Sequence, residues 1–111
     1  YWGNVFRSDP EVLAPRGQWV CVEMMVQMNT VGKSDGAMAA WVDGKPLGLW
    51  TGFRWRTVED LKISYFWLQH FYSERGAPQL VSSCWFDDIV LATKYVGPQV
   101  PKPVEHGPAK E

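Results

Sequence analysis

The residues best equipped for chemistry fall into three groups. In the first, aromatic and basic side chains interleave over a short run: Trp50, Phe53, Arg54, Trp55 and Arg56. A guanidinium is a planar fork of donors that matches a carboxylate, and an indole presents a broad face to a flat ring. Such a run suits a clamp on an acidic or neutral glycan; it equally suits cation–π packing that pins a sheet. The second group consists of pairs two residues apart, His70 with Tyr72 and Gln27 with Asn29. In extended chain each pair projects to one side. The third group is acidic. Glu23 could act as a general base or accept hydrogen bonds from sugar hydroxyls. Its segment holds no second carboxylate, whereas retaining glycoside hydrolysis needs two at about 5–5.5 Å. Asp87 and Asp88 sit side by side within an apolar stretch, where acids are disfavoured unless hydrogen-bonded, paired or metal-bound. The simpler reading turns one to solvent and gives the other backbone or arginine donors.

The composition narrows what these groups could serve. Seven Trp, four Tyr and five Phe in 111 residues supply core volume, and also flat surfaces on which pyranose rings stack. Trp41 and Trp55 are the indoles placed to do so. A formal net charge of −1 argues against the clustered Lys and Arg that nucleic acid demands. No apolar run reaches the roughly 18–20 residues of a membrane-spanning helix. Cys21 and Cys84 fall in separate predicted strands with no metal-type spacing. Two buried free thiols are favoured over a disulfide, because cysteine is among the most buried residue types.

The elements that must position these groups are strands. Residues 19–29 alternate without a break. Val20, Val22, Met24, Val26 and Met28 make one apolar side, and Trp19, Cys21, Glu23, Met25, Gln27 and Asn29 make a mixed one. A period of two predicts a strand whose apolar side seals a core and whose mixed side faces a cleft. A second strand is expected over 37–42, then an Asp43-Gly44 hairpin turn and a partner over 45–49. Residues 50–56 read as a loop. Residues 61–72 carry aromatics in both phases, as a strand covered on both sides does, and 81–93 supply a last long strand. Residues 1–97 thus form an all-β domain, with 98–111 a proline-broken extended tail carrying His106. No stretch carries a helical period of convincing length.

In this order the pieces resemble a known architecture. Gly17-x-Trp19 with Glu23 and Asn29-Thr30 comes first, then Asp35-Gly36 and Trp41-Val42-Asp43-Gly44. The Arg56 loop, Trp85-Phe86-Asp87-Asp88-Ile89-Val90 and Ala92-Thr93-Lys94-Tyr95-Val96-Gly97-Pro98 follow. Together they resemble the C-terminal half of concanavalin A-like jelly-roll domains related to polysaccharide lyases and laminin-G-like modules. The resemblance implies an antiparallel β-sandwich with a glycan on its concave sheet, held by Glu23, Gln27, Trp41, Arg54 and Trp55. It also implies that the remaining strands come from a second chain or a second copy. The alternative is a smaller complete sandwich. If the domain is a lyase, β-elimination on a uronic-acid polymer needs a carboxylate neutraliser, a base and an acid. Arg56, His70 and Tyr72 are the implied candidates. Similar modules place a structural calcium near an aspartate of the last strand, which would involve Asp87 and Asp88; no other cofactor is expected. The expected setting is secreted or cell-surface. A third possibility is a structural subunit of an extracellular assembly.

Overall fold

Asp43 and Gly44 both adopt positive φ, 48° and 75°. This is the two-residue turn whose twist matches the flanking strands, and Asp-Gly is among the sequences that tolerate it. The turn joins β2 (Gly36–Val42) to β3 (Lys45–Phe53), with Val42 opposite Lys45. β1 (Val22–Gln27) pairs antiparallel with the other edge of β2, giving a three-stranded sheet in the order β1-β2-β3. The hairpin tip is also tied to the residue before β1. The Asp43 N–H donates to the Cys21 carbonyl at 2.8 Å, and the Cys21 N–H donates to Asp43 Oδ1 at 2.9 Å.

The computed structural model describes residues 15–70 and 83–99. Among these the chain is all-β, with one antiparallel sheet and no helix. The expected 19–29 strand is trimmed to Val22–Gln27, because Cys21 is engaged by the turn and Asn29 by a loop. The expected loop over 50–56 is instead strand as far as Phe53. Residues 61–70 and 83–93, expected to be strands, join no ladder, and Tyr65, Trp67, Trp85 and Leu91 stand exposed. Alternation encodes a preference for extended chain, but a strand also needs a neighbour to receive its N–H and C=O groups. None of the described strands pairs with these segments.

The two sides of the sheet follow from its register. Directly opposed residues share a side. Glu23 faces Trp41, Met25 faces Ala39 and Gln27 faces Ala37; on the reverse side Met24 faces Ala40 and Val26 faces Met38. The most enclosed apolar residues, Ala37 and Ala39, belong to the Glu23 side. That side is crossed by residues 95–98, held through Tyr95, Val96 and Gly97. The Val/Met side is open, with Val22 72% exposed, Met24 53% and Val26 40%. The expectation that this side seals a core is therefore reversed. A sheet face is sealed only by a second layer, and among the described residues the covering segment lies on the other side. Both cysteines are free; Cys21 is half-buried, and Cys84, expected buried, is exposed on its uncovered segment.

Candidate functional site

Asn29, just beyond the end of β1, organises the loop end of the sheet. It is a fully buried polar residue at 0% exposure. Its Nδ2 lies 2.9 Å from the Thr30 carbonyl and 3.0 Å from those of Lys33 and Arg56. Its Oδ1 accepts the Arg56 N–H at 2.9 Å. A buried amide is stable only when its donors and acceptor are all met, and here each has a backbone partner. Arg56 answers in turn, donating Nε to the Asn29 carbonyl at 2.9 Å and Nη1 to the Glu59 carbonyl at 3.3 Å. Its Nη2 lies 3.3 Å from Glu59 Oε2. Next to this hub, the Thr30 N–H and hydroxyl donate to the two oxygens of Asp35, at 2.7 and 2.8 Å. These two bonds, the hydroxyl's first, hold the Asp35 carboxyl below its ordinary pKa.

Arg54 and Trp55, between β3 and Arg56, remain exposed at this end. The Trp55 ring stacks on Phe53 with centroids 4.3 Å apart and planes 21° apart. Its edge lies over Gly36, the residue paired with Phe53. A Cβ at Gly36 would stand 2.8 Å from Trp55 Cδ1 and 2.7 Å from the Phe53 carbonyl oxygen. Only glycine leaves room for the indole there. Trp55 remains 38% exposed, and Arg54 is exposed with no ion pair among the described residues.

The predicted site residues therefore separate rather than converge. Glu23 and Trp41 do meet, as cross-strand partners, but beneath residues 95–98. The Glu23 carboxylate accepts the Val96 N–H on Oε1 at 2.9 Å and the Gly97 N–H on Oε2 at 2.8 Å. Trp41 packs on Tyr95 with centroids 5.1 Å apart, tilted by 55°. Gln27 is exposed at the end of β1. Arg56 belongs to the Asn29 hub, about 20 Å along β1 from Glu23 at strand rise. His70 is exposed at the end of the 61–70 segment, while Tyr72 and His106 lie outside the described residues. Asp87 accepts the N–H of Asp88 at 2.8 Å, and Asp88 takes a left-handed φ of 50°. Calcium needs six to eight oxygens. No group of three or more acidic, histidine or cysteine residues able to hold a metal occurs among the described residues, so these two alone do not fit one. Nor is any helix there long and apolar enough to cross a membrane.

Sequence reading missed Asn29 as a hub and Phe53 and Gly36 as the support of Trp55. A signal for the last two exists, a glycine at a strand start opposite an aromatic, but only the strand register makes it visible.

This sheet and its loop end match a known family. The model of the family described as Polysaccharide lyase 14 covers residues 13–86, well over half of the chain. The chain belongs to that family. The matched stretch holds all three strands, the Asn29 hub and the Arg54–Arg56 run, which ties the domain to carbohydrate as its partner class. No significant match is found among curated proteins or among solved structures.

Proposed function

We propose that this chain is a polysaccharide-binding β-domain of the lyase family, secreted or displayed at a cell surface, and that it takes its glycan at the loop end of the sheet. Family membership over residues 13–86 carries this reading. The geometry supports this location, since Trp55 stacked on Phe53 and the exposed Arg54 lie side by side at that end. The Glu23–Trp41 side was the other candidate. It is the less suitable one, because both carboxylate oxygens of Glu23 already receive backbone donors. Binding to a panel of neutral and acidic polysaccharides, followed by calorimetry or affinity electrophoresis, tests the reading. Retention by at least one polymer is expected, and no binding to any would end it.

A second reading is cleavage of a uronic-acid polymer by β-elimination, and the family match favours it. Abstraction of the proton next to the uronate carboxyl needs a base, an acid and a carboxylate-neutralising group in one place. Of the implied set, His70 is solvent-exposed and Arg56 holds the Asn29 loop. Unsaturated product absorbing in the near ultraviolet, lost in His70→Ala or Tyr72→Phe, is the expected signature. Alginate, glucuronan and pectin all left intact would exclude cleavage and leave binding standing.

A further inference from the structure

We infer that Phe53, Trp55 and Gly36 form a rigid stacking subsite for one pyranose ring, and that Arg54 selects a ring bearing a carboxylate. The inference rests on the glycan-binding reading and locates that binding on named residues. A stacking platform must present a flat apolar face, must not collapse in the absence of ligand, and must not already be covered. The first condition is met by an indole 38% exposed although one face lies on Phe53 at 4.3 Å. The second is met from both flanks. Gly36 leaves no side chain to push the ring away, and a Cβ there would fall within 3 Å of it. On the following residue, the Arg56 N–H is fixed by the buried Asn29 and the Arg56 carbonyl lies 3.0 Å from the same side chain. Order established before binding spares the ligand the entropy of fixing the ring. The third condition is met because residues 95–98, which cross the sheet at Glu23 and Trp41, leave Trp55 exposed.

The charge preference follows from the two arginines that flank Trp55. Arg56 has its Nε, Nη1 and Nη2 committed to Asn29 and Glu59. Arg54 is exposed and has neither an ion pair nor a hydrogen bond among the described residues. It is the guanidinium left to meet an anionic substituent on a stacked ring, in the paired-donor geometry a carboxylate accepts.

The test measures the affinity of the full chain for polyuronate oligosaccharides and for neutral oligosaccharides of similar length. Trp55→Ala should weaken binding of both classes about tenfold, the loss of one ring-on-ring contact. Trp55→Phe should recover part of it, which separates stacking from a folding defect. Arg54→Ala, a change at an exposed side chain, should weaken polyuronate binding while sparing neutral sugars. Trp19→Ala, at an exposed indole away from this end, should change nothing. Wild-type affinity in folded Trp55→Ala would overturn the subsite while leaving the domain a glycan binder. An unaltered acidic preference in Arg54→Ala would overturn the role of Arg54. Failure of the wild-type chain to bind any oligosaccharide would overturn the reading beneath both.

Discussion

Glu23 and Gly97 are 74 positions apart in the chain, yet the Gly97 N–H donates to Glu23 Oε2 at 2.8 Å. The preceding N–H, that of Val96, donates to the other oxygen at 2.9 Å. One carboxylate thus bridges two consecutive amides and fastens residues 95–98 across the sheet, with the Trp41–Tyr95 contact beside it. Glu23 looks like a sugar ligand in the sequence and works as a latch in the fold. Glu23→Gln keeps the shape but replaces one acceptor by a donor facing an N–H. We expect a loss of about 1–3 kcal/mol of stability. Hydrogen exchange at the Val96 and Gly97 amides should quicken, and glycan affinity should stay the same. Unchanged exchange would disprove the latch.

Asn29 is predicted to be the costliest polar side chain to remove. Asn29→Ala strips the part-buried Arg56 N–H of its acceptor and the Thr30, Lys33 and Arg56 carbonyls of the two Nδ2 hydrogens they share. An abandoned buried group costs about 1–3 kcal/mol, so the total should reach about 3 kcal/mol or more. Urea unfolding measures it, and a shift below 1 kcal/mol would contradict the hub.

Gly36→Ala should move Trp55. The added methyl meets the indole and the Phe53 carbonyl inside 3 Å, and the backbone oxygen cannot swing away. Overpacking of this kind costs about 1–3 kcal/mol. Because the clash lies under the platform, glycan affinity should fall with stability. Affinity retained in the folded variant would detach Gly36 from the binding surface.

The acid limb of the stability curve should contain a contribution from Asp35. Its folded pKa lies below the unfolded one because Thr30 donates to its ionised form, first through the hydroxyl and then through the N–H. That contribution is present above the unfolded pKa and fades as pH falls through the folded value. Thr30→Val removes the hydroxyl donor and should reduce the loss of stability on acidification. Parallel acid limbs for the two proteins, compared by thermal melts across the carboxylate range, would rule this out.

The open Val/Met side makes the last prediction. Val22, Met24 and Val26 form a contiguous apolar surface, and such surfaces drive association. The isolated chain should bind an apolar dye and self-associate with concentration in light scattering. The pair Met24→Lys and Val26→Lys should suppress both with little effect on the melting temperature. A dispersed wild-type chain that binds no dye would show this side to be covered in solution.

The local features were legible in the residues themselves. Alternation located β1, Asp43-Gly44 located the β2–β3 hairpin, and the chain order carried the likeness to polysaccharide lyase domains that the family match bears out. These depend on neighbours along the chain, where period and turn chemistry operate. The strands expected over 61–72 and 81–93, by contrast, join no ladder among the described residues. Which side of the sheet is covered, and whether a charged side chain faces ligand or backbone, depends on segments remote in sequence. Composition could not reveal that residues 95–98 would lie over Glu23, or that one of two similar arginines would be consumed by Asn29 while the other stayed available. A carboxylate or guanidinium is satisfied by whichever donor or acceptor folding brings to it, and only the tertiary structure decides which arrives.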